Sequence, residues 1–299
     1  MLSDTILALK KEKNLAILAH NYQPPEIQDL ADHLGDSLAL SRLATEIESD
    51  RIIFCGVFFM AETAAILSPE KKIILPEPEA GCPLADMITA ESLVKLKQKH
   101  PQATVITYVN SPAEVKAVSD ICCTSANALN IVRSVPESEE VIFGPDKHLG
   151  RWVGQQAGRE LILWEGFCPV HQKFSAEWIA ELREKHPGAE VLVHPEVPPE
   201  IEELSDHTLG TGGMIRRAGE SSADTFIIGT EKDMVYRLKT IYPSKTFIPA
   251  SLEAICRNMK KITLEKLLHS AETLEPVITV PAETADAARG AIEKMVRYG

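Results

Sequence analysis

The sequence predicts an α/β protein of three pseudo-threefold-related, three-layer α/β/α domains, each built on a parallel sheet. Three observations predict it. A pattern recurs at a period of 85 to 88 residues. Within each period helical and strand patterns alternate, and the strands are short, β-branched apolar runs of the kind that parallel sheets bury on both faces.

The repeat is legible in "LALKKEKNLAILAHNYQPPEIQDLADHLGDSLAL", "VKLKQKHPQATVITYVNSPAEVKAVSDICCTSANAL" and "AELREKHPGAEVLVHPEVPPEIEELSDHTLGTGGMI". Each segment begins with a charged amphipathic helix and passes through a short strand. Pro-Pro-Glu or Pro-Ala-Glu then opens a second helix, and an aspartate follows. Asp32, Asp120 and Asp206 lie 88 and 86 residues apart. The next strands, "RIIFCG", "EVIFGP" and "TFIIGT", end in Gly56, Gly144 and Gly229. After another helix, "KKIILPEPEAGC", "RELILWEGFC" and "KTFIPASLEAIC" form a third strand and a loop that carries Cys82, Cys168 or Cys256, spaced by 86 and 88. Three strands per unit are thereby expected. Near the C-terminus "TLEKLLHSAETLEPVITV" predicts a fourth helix and strand and "AETADAARGAIEKMVRYG" a last helix, which complete the first unit. The expected domains are 1–82 plus 257–299, 83–168, and 169–256.

A chain of 299 residues exceeds the usual size of one domain and can bury a large core. Its net charge of -12 and its lack of a sizeable Lys/Arg cluster argue against nucleic acid and anionic membrane as partners. No apolar stretch is long enough to span a bilayer. "MLSDTILALKKEKN" reads as an amphipathic helix, not a signal peptide, so a cytoplasmic protein is expected. In a reducing compartment the six cysteines are free thiols, metal ligands or catalysts.

A lone cysteine is usually a small buried hydrophobe, and Cys55, Cys122 and Cys123 are assigned to packing. Cys82, Cys168 and Cys256 differ because they recur at the repeat period. Each lies in a loop after a strand's carboxyl end, where parallel α/β sheets build their sites, so the three thiols are expected to meet on the pseudo-threefold axis. Three sulfur ligands suit zinc with a fourth ligand, for which His171 in "CPVHQ" is the candidate, or an iron–sulfur cluster. A four-iron cluster on three thiolates leaves one iron open as a Lewis acid. Thiol chemistry alone leaves both readings open.

The loops after the first strand of each unit, "AHNYQ", "TYVNS" and "VHPEV", offer His20, Asn21, Tyr22, Tyr108, Asn110, His194 and Glu196 as titratable or hydrogen-bonding groups for one shared site. "GDSLAL", "TSANAL" and "LGTGGM" place Ser37, Ser125 and Thr211 ahead of helices, where hydroxyls and amides cap a helix or grip anions. Three such turns facing one centre predict a ligand with several anionic groups. The glycines of "GTGG" lack the dinucleotide pattern, so NAD is not expected as a bound cofactor.

"AHNYQPPEIQDLADHLGDSL", "YVNSPAEVKAVSD", "CTSAN", "IFGPDKHLG", "CPVHQKF", "VHPE", "TGGM" and "ICRNMKKITLEKL" together resemble the quinolinate synthase family, in order and over nearly the whole chain. The resemblance implies three α/β/α domains around a pseudo-threefold axis and one 4Fe-4S cluster per chain, with Cys82, Cys168 and Cys256 at its ligand positions. It implies a transferase of NAD biosynthesis that condenses iminoaspartate (iminosuccinate) with dihydroxyacetone phosphate to give quinolinate, phosphate and water. Functional coupling to an aspartate-oxidising enzyme goes with that reaction. The family's substrate contacts carry over to His20, Ser37, Tyr108, Val109, Asn110, Ser125, His194, Pro195, Glu196 and Thr211. Proton transfer is assigned to Glu196, Tyr22, His20, His194 and Tyr108.

Three positions depart from the family pattern. Gly210 stands where the family commonly has serine, which predicts weakened triose phosphate binding. Phe58 replaces a commonly polar residue, and Val197 a frequent cysteine. Two other function classes account for the thiols: a zinc-dependent aldolase or hydrolase on this scaffold, and a non-catalytic iron–sulfur sensor. Only the quinolinate synthase reading also accounts for the polar strand ends and anion turns.

Overall fold

The computed structural model describes residues 2–298, and in it three four-stranded parallel sheets lie between helices. The first contains β1 (Leu15–His20), β2 (His33–Gly35), β3 (Arg51–Cys55) and β4 (Lys72–Ile74) in the order β2-β1-β3-β4. The second contains β5 (Thr104–Tyr108), β6 (Ile121–Cys123), β7 (Val141–Gly144) and β8 (Ile162–Leu163), ordered β6-β5-β7-β8. The third contains β9 (Glu190–Val193), β10 (His207–Thr208), β11 (Thr225–Gly229) and β12 (Thr246–Pro249), ordered β10-β9-β11-β12. One topology is used three times.

The short apolar runs become strands because both sheet faces are covered. All six residues of β1 are buried. In the third sheet Val191, Val193 and Ile227 join one apolar cluster, while Leu192, Phe226 and Ile228 join another on the opposite face. Ile106, Val141 and Phe143 of the second sheet share the first sheet's core, while Val105 and Ile142 join a separate cluster. The shared core is completed by the C-terminal helix Ala282–Arg297, which packs on Ala113–Ala117 and β6 as well as on Phe58–Leu67.

Each repeat contributes one strand more than the three that the sequence predicts for it. The additional strands, β2, β6 and β10, are edge segments of two or three residues, too short to carry a period-2 pattern. The repeated aspartates anchor them. Asp32, Asp120 and Asp206 accept the backbone N–H groups of Ile17, Val105 and Val191 at 2.8, 2.8 and 2.7 Å. Their own N–H groups return to the carbonyls of the same residues. Lys10, Lys97 and Arg183, from the amphipathic helices, pair with these carboxylates at 2.8, 3.7 and 2.9 Å.

Two of the repeated glycines are steric requirements. A Cβ at Gly144 would lie 2.3 Å from Trp164 Cβ, and one at Gly229 would lie 2.7 Å from Val193 Cγ1. The strand expected near residue 277 reduces to one antiparallel bridge between Ile74 and Val277. Pro276 and Pro281 bracket that segment and limit the ladder. No helix among the described residues is long and apolar enough to cross a membrane.

Candidate active site

Every strand's carboxyl end leads into a loop, and the loops of the three sheets line one cavity. Its residues fall into repeat-related tiers. After β1, β5 and β9 come His20 with Tyr22, Tyr108 with Asn110, and His194 with Glu196. After the edge strands come Ser37, Ser125 and Thr211. After β4, β8 and β12 come Cys82, Cys168 and Cys256, each half-buried. The cavity leaves about 90 Å³ of room for the centres of water-sized molecules, space for several waters or a small organic anion.

A chain of hydrogen bonds crosses it. Tyr108 Oη donates to Glu196 Oε1 at 2.7 Å, and His171 Nδ1 lies 2.8 Å from Glu196 Oε2. His171 Nε2 lies 2.8 Å from Thr230 Oγ1, which is 2.5 Å from Tyr22 Oη. A carboxylate accepts only, which assigns the proton of His171 to Nδ1. Nε2 is then the acceptor for the Thr230 hydroxyl, and Thr230 accepts from Tyr22. The chain therefore runs from Tyr22 through Thr230 and His171 to Glu196, with Tyr108 entering from the other side.

Burial sets the charges. It alone would raise the Glu196 carboxyl, but His194, His171 and Tyr108 together hold it below the usual range, so it is ionised. Burial, then the neighbouring His194 and Lys260, lowers His20 to about 3. His194 falls to about 4, chiefly by burial. Both imidazoles are thus neutral at physiological pH and can accept a proton. Burial raises Tyr22 and Tyr108, which stay protonated as donors.

The hydroxyl of Thr211 accepts from Asn21 Nδ2 at 2.9 Å, leaving its own proton for a ligand. Gly210 precedes it as helix N-cap, and a Cβ there would lie 2.8 Å from Ser125 Oγ. Phe58 lines a second, outer cavity, and Val197 is buried in the third unit's core.

The donor set fits an iron–sulfur group. Three soft sulfurs from three loops meet at one cavity. Burial pushes Cys82 up to about 12 and raises Cys168 and Cys256 as well, so binding a metal would release protons. A smaller group, Cys168, His171 and Glu196, has ligand atoms within 4.8 Å of one another. Both nitrogens of His171 are already hydrogen-bonded, so a metal there would displace one bond.

Of the residues expected from the sequence, Val109 and Pro195 are buried but are not among those lining the cavity, and the Val109 N–H goes to the Cys123 carbonyl at 2.8 Å. Sequence reasoning missed Thr230, Asp146, Glu231 and Lys260. Asp146 and Glu231 had a signal, because both lie two residues after the repeated glycine, in "GPD" and "GTE". Lys260 had none. It forms ion pairs with Glu231 at 2.9 Å and Asp233 at 2.7 Å, and also donates to the Tyr22 carbonyl.

Residues 4–297 match the family described as Quinolinate synthetase A protein. The chain is 50% identical over 297 residues to the quinolinate synthase of Dehalococcoides mccartyi strain CBDB1, covering 99% of this chain and 98% of that protein. It is similarly 50% identical over 296 residues to quinolinate synthase 2 of Methanosarcina acetivorans, covering 99% and 95% of the two chains. To the quinolinate synthase of Thermodesulfovibrio yellowstonii it is 49% identical over 294 residues, covering 98% and 97%.

Proposed function

The chain belongs to the quinolinate synthase family of enzymes, and from that premise we propose that it condenses iminoaspartate with dihydroxyacetone phosphate, yielding quinolinate, phosphate and water for NAD synthesis. The observation that carries the proposal is the convergence of three repeat-related thiols and three hydroxyl-bearing turns on one cavity around Glu196. Two substrate carboxylates and one phosphate suit three anion-gripping turns.

In this reading Ser37, Ser125 and Thr211 hold the anionic groups through hydroxyls and neighbouring amides. Asn110, with the backbone around Val109 and Pro195, completes the substrate contacts. His20 and His194, neutral in the cavity, accept protons during isomerisation and ring closure. Ionised Glu196 orients Tyr108 and His171, and Tyr22 and Tyr108 donate protons. The enclosing loops keep bulk water from an imine, which hydrolyses readily. Cys82, Cys168 and Cys256 would hold one 4Fe-4S cluster, which supplies an open iron as Lewis acid for dehydration.

A cytoplasmic location suits six unbridged thiols. An aspartate-oxidising enzyme would supply the imine. We retain 1–82 plus 257–299, 83–168 and 169–256 as the proposed domain division.

The proximity of Cys168, His171 and Glu196 favours one second reading, a zinc-dependent aldolase or hydrolase. Iron, sulfide and zinc content after anaerobic purification, for the natural chain and for Cys168→Ala, separates the two. About four irons and four sulfides, lost in the variant, together with quinolinate formation, support the synthase. Stoichiometric zinc without sulfide moves the zinc reading to first place.

A further inference from the structure

The three cysteine loops are built alike but held differently. In each unit a backbone N–H at the helix start, from the first helix residue in the first two units and from two residues ahead of the helix in the third, goes to the carbonyl two positions before the cysteine. Phe58 bonds Ala80 at 2.8 Å, Lys147 bonds Gly166 at 2.8 Å, and Lys232 bonds Ala254 at 2.9 Å. These bonds align the three loops, and they align the preceding residues, Val57, Asp146 and Glu231, with one another.

In the second and third units that residue is a fully buried acid whose carboxylate accepts the cysteine's backbone N–H. Asp146 Oδ2 receives Cys168 N at 3.1 Å, and Glu231 Oε1 receives Cys256 N at 3.3 Å. Each acid is fixed in turn. Asp146 Oδ1 accepts Leu149 N at 2.8 Å, and Glu231 is bonded by Asp233 N at 2.9 Å and paired with Lys260 at 2.9 Å. Asp146 also sits at φ +84°, a conformation that non-glycine residues rarely adopt and that its surroundings must enforce. In the first unit Val57 occupies this position and offers no acceptor.

A second, independent asymmetry falls on the same loop. A separate, solvent-open cavity, with about 410 Å³ of room, is lined by Phe59, Gly81 and Cys82 of the first unit and by Asp86 and Glu114 of the second. Cys82 is the one metal-candidate thiol that lines both cavities.

We propose that Cys82 is the gate ligand of the metal group, the last thiol to close on it and the first to let go, because its loop lacks the carboxylate clamp that holds Cys168 and Cys256 and is open to solvent from outside. Asp146 and Glu231 are positioning residues for the other two ligands. Groups that orient a ligand from behind commonly set metal affinity by 10- to 100-fold. The inference rests on the cluster reading above.

The test uses the full chain, reconstituted anaerobically with ferrous iron and sulfide. Metal analysis comes first. If iron and sulfide are not bound, the cluster reading fails before the inference is tried, and the inference falls with it. If they are bound, a neutral ferrous chelator is added with iodoacetamide, because the outer cavity's Glu62, Glu79, Asp86 and Glu114 would repel an anionic reagent. Samples quenched in time are mapped by mass spectrometry. Cys55, Cys122 and Cys123 are fully buried and serve as unlabelled controls.

Cys82 is expected to be alkylated about tenfold ahead of Cys168 and Cys256. In Asp146→Leu, Cys168 labelling should catch up with Cys82, whereas Asp146→Asn, which keeps an acceptor oxygen, should preserve the natural order. Earlier or simultaneous labelling of Cys168 or Cys256 in the natural chain overturns the proposal. That measurement needs no variant to fold.

Discussion

Tyr108 Oη donates a 2.7 Å hydrogen bond to Glu196 Oε1 across the cavity, joining the second unit to the third through residues 88 positions apart. Tyr108→Phe removes this donor and leaves Glu196 with His171. Turnover should fall about 100-fold, in kcat more than in KM. Glu196→Gln should cost about 100- to 10,000-fold. Steady-state quinolinate formation reads both, with iron content as the control for an intact site. Full turnover in Glu196→Gln would remove Glu196 from the chemistry, and full turnover in Tyr108→Phe would remove the Tyr108 donor.

Buried neutral histidines give the protein a signed pH dependence. His20 and His194 have pKa values lowered to about 3 and about 4, against 6.5 in an unfolded chain. The unfolded state therefore binds more protons below 6.5. Stability should be complete above that value and decline as pH falls towards 4, by about 1.4 kcal/mol per unit for each histidine. Urea midpoints for the natural chain and His20→Gln between pH 4 and 7 check this, and the variant should show the shallower decline. Equal slopes would mean that His20 is charged in the folded protein.

Glu190 makes a two-point ion pair with Arg217, 2.8 Å at each contact, is bonded by Ser221, and has His207 at 3.8 Å. The Arg217 guanidinium, more than the modest burial opposing it, lowers the Glu190 carboxyl from its ordinary 4.5. Its stabilisation is present above that value and is lost as pH falls through the lower folded value. Glu190→Gln should destabilise by about 1 kcal/mol at pH 7, and the deficit should vanish in strong acid. A deficit independent of pH would assign it to packing.

Asp120 belongs to the repeat without touching the cavity. Asp120→Ala strands the Val105 N–H that it accepts at 2.8 Å, at a cost of about 1–2 kcal/mol. Iron content and kcat should stay unchanged. Lost metal with unchanged stability would contradict the anchoring role.

Gly210→Ser brings a side chain against a movable partner, since its Cβ would meet Ser125 Oγ at 2.8 Å. Ser125 can rotate, and the two hydroxyls then face the cavity together. Dihydroxyacetone phosphate should bind about threefold tighter, the effect of part of one hydrogen bond. Calorimetry with the holoprotein measures it, and unchanged affinity would show that the phosphate lies elsewhere.

The repeat was legible because its marks are chemically distinctive: a Pro-Glu helix start, a strand-ending glycine, a loop cysteine. Reading across the repeat gave the tiers of the cavity before any contact was known. What it missed was short or distant. Two- and three-residue edge strands carry no pattern of their own, and they exist because a neighbouring strand and an aspartate hold them. "GPD" and "GTE" were visible, yet their carboxylates gain meaning only from the cysteine amides 22 and 25 residues further on.

The sequence by itself determined the α/β class, the threefold period and the equivalence of Cys82, Cys168 and Cys256, because helix and strand preferences and turn chemistry act over a few neighbouring residues. Tertiary structure alone decided that Tyr22 bonds Thr230, 208 positions away, and that Lys260 neutralises Glu231 beside the cavity. Such pairings follow from which buried polar groups packing brings together, since each must find a partner once water is excluded.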